Sequence, residues 1–185
     1  MKSLKSLMMA GILAAGLGGC GSDNQTSTAG DGAEKTTKDA PMLKFVSTKD
    51  GSPLPIKPTD KDTPEVKEFY KTGKNPYTKK FISDPEAAKT GRKVFNMYSC
   101  TQCHGGNAGG QTGPSLTDDN WVYPKNVTDK GMFETISGGT NAGMPIWHLQ
   151  VAGNPELLSS DDILRVMAWI RSMYAGADQT KEWLK

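Results

Sequence analysis

Two thiols separated by two residues, with an imidazole directly after the second, stand at Cys100-Thr101-Gln102-Cys103-His104. Each thiol at this spacing can add to one vinyl group of the same porphyrin. The imidazole that follows then lies under the iron and becomes its proximal ligand. The stretch therefore reads as an attachment sequence for covalent haem c. Two other chemistries use a C-x-x-C pair. A thioredoxin-like redox pair needs a βαβ context, which the flanking sequence lacks. A structural zinc site needs a second ligand pair, and no cysteine follows Cys103.

A six-coordinate iron needs a ligand on its other face. The downstream methionines are Met132, Met144, Met167 and Met173. Met167 and Met173 fall on the apolar stripe expected of the last helix, and Met132 near the start of another, where packing accounts for them. Met144 lies in the non-helical run Asn141-Ala142-Gly143-Met144-Pro145. A loop can carry a thioether to an iron from the face opposite His104; a packed helix usually cannot. His148, the other histidine of the chain, is the rival. His/Met ligation raises a haem potential and bis-His ligation lowers it.

The elements that must position these groups are helical. Thr63-Pro64-Glu65 carries an N-cap, a first-turn proline and an early acid, which predicts a helix over Pro64–Thr72 ending at Gly73. Asn75-Pro76-Tyr77 reads as a turn. Asp84-Pro85-Glu86 repeats the start signal and opens a helix from Pro85 to about Ser99, with Ala88, Val94, Phe95 and Tyr98 near one face. It delivers the chain into the haem motif. A further helix is expected around Asp129–Ser137. The last begins at a Ser159 cap with Asp162 three residues on, carries Ile163, Val166, Met167, Ile170, Met173 and Tyr174 at helical spacing, and ends at Gly176. Residues 105–127 and 138–158 read as irregular. Residues 41–62 read as an extended, Pro-rich segment packed on through Leu43, Phe45, Val46, Leu54 and Ile56. The fold class is all-α.

The N-terminus reads as a targeting segment. Lys2 and Lys5 precede an apolar run from Leu7 to Leu17, too short to span a bilayer well. It ends in Leu17-Gly18-Gly19-Cys20, which resembles a lipobox and implies cleavage before Cys20 and lipidation of its sulfur. The expected organisation is a lipoprotein signal peptide over 1–19, a flexible tether over 20–41, an N-terminal extension with a short helix over 42–83, the haem domain over 84–178 and a tail over 179–185. The 3 cysteines are then accounted for, with none left for a disulfide. Residues 42–99 hold 12 basic and 7 acidic side chains, and residues 100–185 hold 6 and 9. This polarity is not the dense basic stripe of a nucleic-acid binder.

An early helix ending in C-x-x-C-H and a late amphipathic helix resemble class I c-type cytochromes. That resemblance implies that the first and last helices cross, with Gly91 and Phe95 on one side and Trp169 or Tyr174 on the other. It also implies that the carbonyl of Pro114 holds the His104 ring, that Trp121 and Tyr123 line the haem and bond a propionate, and that Met144 belongs to the distal loop. A narrower resemblance runs over most of residues 42–185. Gly113-Pro114-Ser115-Leu116-Thr117-Asp118-Asp119-Asn120-Trp121-Val122-Tyr123-Pro124-Lys125-Asn126, Gly131 to Gly139, Met167 to Gly176, Asp62 to Phe69 and Thr72 to Tyr77 are similar to cytochrome cL. This family accepts electrons from quinoprotein methanol dehydrogenase. The run Thr140 to Trp147 leans towards variants paired with lanthanide-dependent dehydrogenases. Some members carry a calcium near a haem propionate, but no carboxylate cluster marks one in this sequence. The resemblance implies a periplasmic single-haem carrier. It takes electrons from a methanol or alcohol dehydrogenase and passes them to a second c-type cytochrome or a terminal oxidase; Cys20 would anchor it to the membrane. A peroxidase-like haem enzyme and a tethered subunit of an oxidase or reductase complex are the alternatives.

Overall fold

The computed structural model describes residues 41–176 and 183. The signal peptide, Cys20 and almost all of the tether lie outside the described residues, as does most of the tail.

The fold is a chain of short helices, each started by local chemistry. Helix α1 (Pro64–Thr72) begins where Thr63 Oγ1 accepts from Val66 N–H at 3.3 Å. Helix α2 (Tyr77–Ser83) was not expected from sequence. It grows directly out of the Asn75-Pro76 turn, where Asn75 Oδ1 accepts from Tyr77 N–H at 3.1 Å. The cap stands before a proline and only Tyr77, Thr78 and Phe81 are buried, so neither start signal nor periodicity was strong. Helix α3 (Pro85–Met97) is capped by Asp84, whose carboxylate accepts from Glu86 and Ala87 N–H. Helix α4 (Thr101–His104) is the single turn of the haem motif. A 3-10 turn over Pro124–Val127 leads into helix α5 (Asp129–Gly138). Helix α6 (Leu149–Ala152) is one turn inside the stretch expected to be irregular. Helix α7 (Ser160–Ser172) starts with the expected reciprocal capping box between Ser159 and Asp162. It is capped at Met173, short of Gly176, because Met173 N–H already turns back to the carbonyls of Trp169 and Ile170. Met173 is consequently 38% exposed and does not belong to the buried stripe.

Helices α3 and α7 cross as the class I resemblance implies. A Cβ on Gly91 would lie 2.7 Å from Trp169 Cβ, and closer still to the Arg165 carbonyl oxygen. Beside the crossing, Phe95 and Trp169 meet with ring centroids 4.7 Å apart. Trp169 is thus the partner residue. Tyr174 lies past the end of α7 and instead donates its hydroxyl to Asp119.

The N-terminal extension is part of the core. Residues 45–54 form a tight hairpin with Val46 bridged to Pro53. Phe45 enters a ring cluster, 5.8 Å from Phe69 and 5.0 Å from Phe133. Ile56 is buried, Leu43 and Leu54 pack at the edge, and half-buried Val46 gives its N–H to Glu134 at 3.0 Å. Among the described residues no helix is long and apolar enough to cross a membrane.

The contact at Gly91 has no room for a methyl group. Gly91→Ala should lower unfolding stability by about 1–3 kcal/mol, the usual cost of overpacking. Thermal melts followed at 222 nm would test this, and a wild-type midpoint would remove the crossing from its central place.

Candidate functional site

The haem motif is placed by a change of direction after α3. Ser99 takes φ +57°, a left-handed conformation uncommon outside glycine. The chain then re-enters a helical turn, with His104 N–H donating to Cys100 O at 2.9 Å. Cys100, Cys103 and His104 all border one cavity of about 290 Å³. The following loop curls back on the motif. Gly110 N–H donates to His104 O at 2.9 Å, and Gly113 N–H donates to Cys103 O at 2.8 Å. Ala108, wholly buried and also left-handed at φ +57°, anchors the loop by accepting from Leu116 N–H at 2.8 Å.

The curl brings Pro114 O to 2.8 Å from His104 Nδ1. A carbonyl only accepts, so Nδ1 carries the proton. Nε2 keeps its lone pair for a metal, the tautomer a proximal ligand needs.

The cavity walls come from α3, α5 and α7: Phe95, Met132, Ile136, Val166 and Ile170, closed by Leu116 and Trp147. Trp121, Tyr123 and Met144 also border it. Two of the four weighed methionines therefore reach the cavity, Met144 from its loop and Met132 from within α5. Met167 is fully buried in the helix packing. Haem c fits this donor set. The walls are apolar, two thiols and one imidazole sit on one side, and Trp121 Nε1–H is buried with no hydrogen-bond partner among the described residues. An unpaired buried donor is costly unless a ligand acceptor meets it.

Burial pushes the Cys100 thiol up to about 11. A redox-active C-x-x-C cysteine depends on a lowered pKa, so the environment opposes the thioredoxin-like alternative. Among the described residues no three His, Cys, Asp or Glu side chains cluster to hold a metal ion, so the C-x-x-C pair finds no second ligand pair there for a structural zinc.

His148 is 1% exposed and lies outside the cavity lining. Its Nδ1 accepts from Gln150 N–H at 3.1 Å, so Nε2 carries the proton and donates to Ser160 Oγ at 2.8 Å. Ser160 in turn pairs with Tyr70 Oη at 2.7 Å. Both ring nitrogens are committed to structure.

Sequence reasoning did not single out Asn126, Thr135 or Thr140, which also border the cavity. The first two belong to a polar run: Thr135 Oγ1 donates to Asn126 Oδ1 at 2.7 Å and accepts from Thr48 Oγ1 at 3.0 Å. The available signal was the presence of Thr135 within the otherwise apolar face of α5.

Two solved structures of cytochrome cL share this fold and much of its sequence. The protein from the marine methylotrophic bacterium Methylophaga aminisulfidivorans is 40% identical with a TM-score of 0.63, covering 77% of this chain and 88% of its own. The protein from Hyphomicrobium denitrificans is 35% identical with a TM-score of 0.65, covering 78% and 82%. The chain belongs to the cytochrome cL family. Cytochrome c-L of Methylorubrum extorquens is 40% identical over 143 residues, 76% of this chain, and the match spans 66% of that relative's length. Residues 86–170 also match the family model of cytochrome c oxidase, cbb3-type, subunit III. The cbb3-type oxidase subunit CcoP of Rubrivivax gelatinosus is 36% identical over 49% of this chain, which spans only 27% of that subunit. Membership of the cytochrome cL family makes covalent haem c the cofactor and the all-α class I arrangement the fold.

Burial holds the His148 pKa down to about 4, against an ordinary value of 6.5. The folded value is depressed, so this residue's contribution is present above about pH 6.5 and is lost as pH falls towards 4. At about 1.36 kcal/mol per pH unit, the loss across that window is on the order of 3 kcal/mol. His148→Gln should be less stable at pH 7 and should flatten this acid slope. Melting temperatures measured from pH 7.5 to 4 would reveal it; parallel slopes for the two proteins would overturn the assignment.

Proposed function

We propose that this protein is a mono-haem electron carrier. It takes single electrons from a periplasmic quinoprotein methanol or alcohol dehydrogenase and delivers them to a second c-type cytochrome or a terminal oxidase. Haem, when bound, supplies a one-electron iron couple. The supporting observation is His104, its tautomer set by Pro114 O, in one apolar cavity with the loop thioether of Met144.

In this reading Cys100 and Cys103 would hold the ring covalently, His104 and Met144 would be the protein ligands of its iron, and the Met144 thioether would favour the reduced state. Trp121 and Tyr123 meet the propionates, and Phe95, Val166 and Ile170 exclude water. The residues perform no bond chemistry on a substrate. A peroxidase-like reaction would need a distal acid–base group, and the engagement of both His148 nitrogens argues against one. The signal peptide over 1–19, the tether over 20–41 and lipidation at Cys20 place the haem domain at the periplasmic face of a Gram-negative membrane. Docking is transient and partly electrostatic, as redox complexes with small interfaces are.

The match of residues 86–170 to an oxidase subunit family favours one second reading, a tethered cytochrome held within an oxidase complex. Co-purification with oxidase subunits from detergent extracts would favour it over the carrier.

Three measurements bear on the proposal. The purified ferric protein mixed with quinoprotein methanol dehydrogenase and methanol should be reduced at a catalytic rate; persistence of the oxidised spectrum would overturn the donor assignment. Met144→Ala should abolish the long-wavelength charge-transfer band of the ferric protein and lower its potential, whereas Met132→Leu should keep both. Loss of the band in the Met132 variant instead would exchange their roles. Cys20→Ser should move the protein from the membrane to the soluble fraction, and a wild type already soluble would remove the anchor.

A further inference from the structure

The loop carrying Met144 is fastened from two sides. On the inside, Gly139 takes φ +68°, and a Cβ there would lie 2.6 Å from Met144 O and 2.7 Å from the Pro145 carbonyl carbon. Thr140 N–H donates to Met144 O at 2.9 Å, and Met144 N–H donates to Thr140 Oγ1 at 3.3 Å. Thr140 is buried and borders the same cavity as Met144. On the outside, exposed Asn141 donates from Nδ2 to Lys49 O at 2.9 Å.

Lys49 belongs to the tight turn of the N-terminal hairpin. Ser47 N–H donates to Ser52 O at 2.8 Å, Gly51 N–H to Ser47 O at 2.9 Å and Lys49 N–H to Ser47 Oγ at 3.1 Å. The hairpin is itself tied to α5 through Val46 N–H on Glu134 and the Thr48–Thr135 hydroxyl pair. Buried Glu134 is paired with Lys125 at 3.0 Å and with Lys130, so the anchor carboxylate is not left unpaired. A segment some 90 residues upstream thus reaches the loop through an unbroken series of hydrogen bonds.

We propose that Thr140 and Asn141 are positioning residues for Met144, with the 47–52 turn as their buttress. They keep the thioether on the iron in competition with outside ligands. The inference rests on Met144 being the distal ligand. An iron–thioether bond exchanges readily with stronger donors, and the closed conformation of the loop decides how often the sixth position is free. Each tie lost should raise the open fraction by roughly the worth of one net hydrogen bond, about five-fold.

The experiment is an imidazole titration of the ferric holoprotein, followed by the charge-transfer band. Asn141→Ala should bind imidazole about five-fold more tightly while the protein stays folded, because the side chain is exposed and its loss costs no more than one net hydrogen bond. Thr140→Val should bind more tightly to a similar or greater degree, and Thr140→Ser should return towards wild type. Lys49→Ala should match wild type, since only its main-chain carbonyl is used. Wild-type imidazole affinity in both Asn141→Ala and Thr140→Val overturns the proposal; if Thr140→Val does not fold, Asn141→Ala decides alone. Met144→Ala separates the two levels. A wild-type band in that variant defeats the ligand assignment itself. Loss of the band there, together with wild-type affinity in the loop variants that fold, defeats only the positioning role.

Discussion

The close approach of α3 and α7 at Gly91 is the constraint on which the site depends. With no side chain at that point, the two backbones come near enough for the Phe95 ring to pack, tilted, against Trp169. The same helices then give Phe95, Val166 and Ile170 to the cavity wall. Any wider separation would open that wall to water and move the end of α3 from which the haem motif hangs. The motif gives only Cys100 to the edge of the core. Its single turn, α4, contains no buried residue and takes its position from α3 behind it and the curled loop ahead.

Covalent chemistry, cap chemistry and apolar spacing were legible in the sequence. Cys100, Cys103 and His104 needed only their spacing. Thr63, Asp84 and Ser159 marked three helix starts, because a side-chain oxygen satisfying a free N–H is a local event that one chain can reveal. Helix α2 was missed because its stability comes from packing against α7, a tertiary contact that its lysine-rich sequence does not advertise. Met173 was misplaced for a related reason: periodicity continues past the point where Met173 itself caps the helix. The role of Trp121 was implied by resemblance, but its buried, unpaired N–H is visible only in three dimensions. Thr140 and Asn141 carry no motif at all. Their significance lies in hydrogen bonds to a main chain that sequence cannot locate.

The extension illustrates how little a linear division into accessory and essential parts means here. Residues 42–56 look dispensable beside a haem motif and are rich in proline. Yet Phe45 completes the ring cluster with Phe69 and Phe133, and Tyr70 on α1 holds Ser160 at the start of α7. His148 hangs from that same serine.

Arg171 gathers the most distant parts of the chain. It is 2% exposed, ion-paired to Asp129 at 3.4 Å, bonded to Asn126 O at 2.8 Å and stacked 3.6 Å under the Trp183 ring. Asp129 also receives Asn75 N–H at 2.9 Å. Burial and the neighbouring carboxylate pull the guanidinium in opposite directions, and burial prevails, bringing it down to about 10. A charge this deep is tolerable only while all its partners are present, since one left alone would be severely penalised. The segments at Asn75 and Trp183 therefore cannot come loose one after the other: fraying of either leaves the buried pair short of a partner, so their loosening is coupled to the loss of that pair.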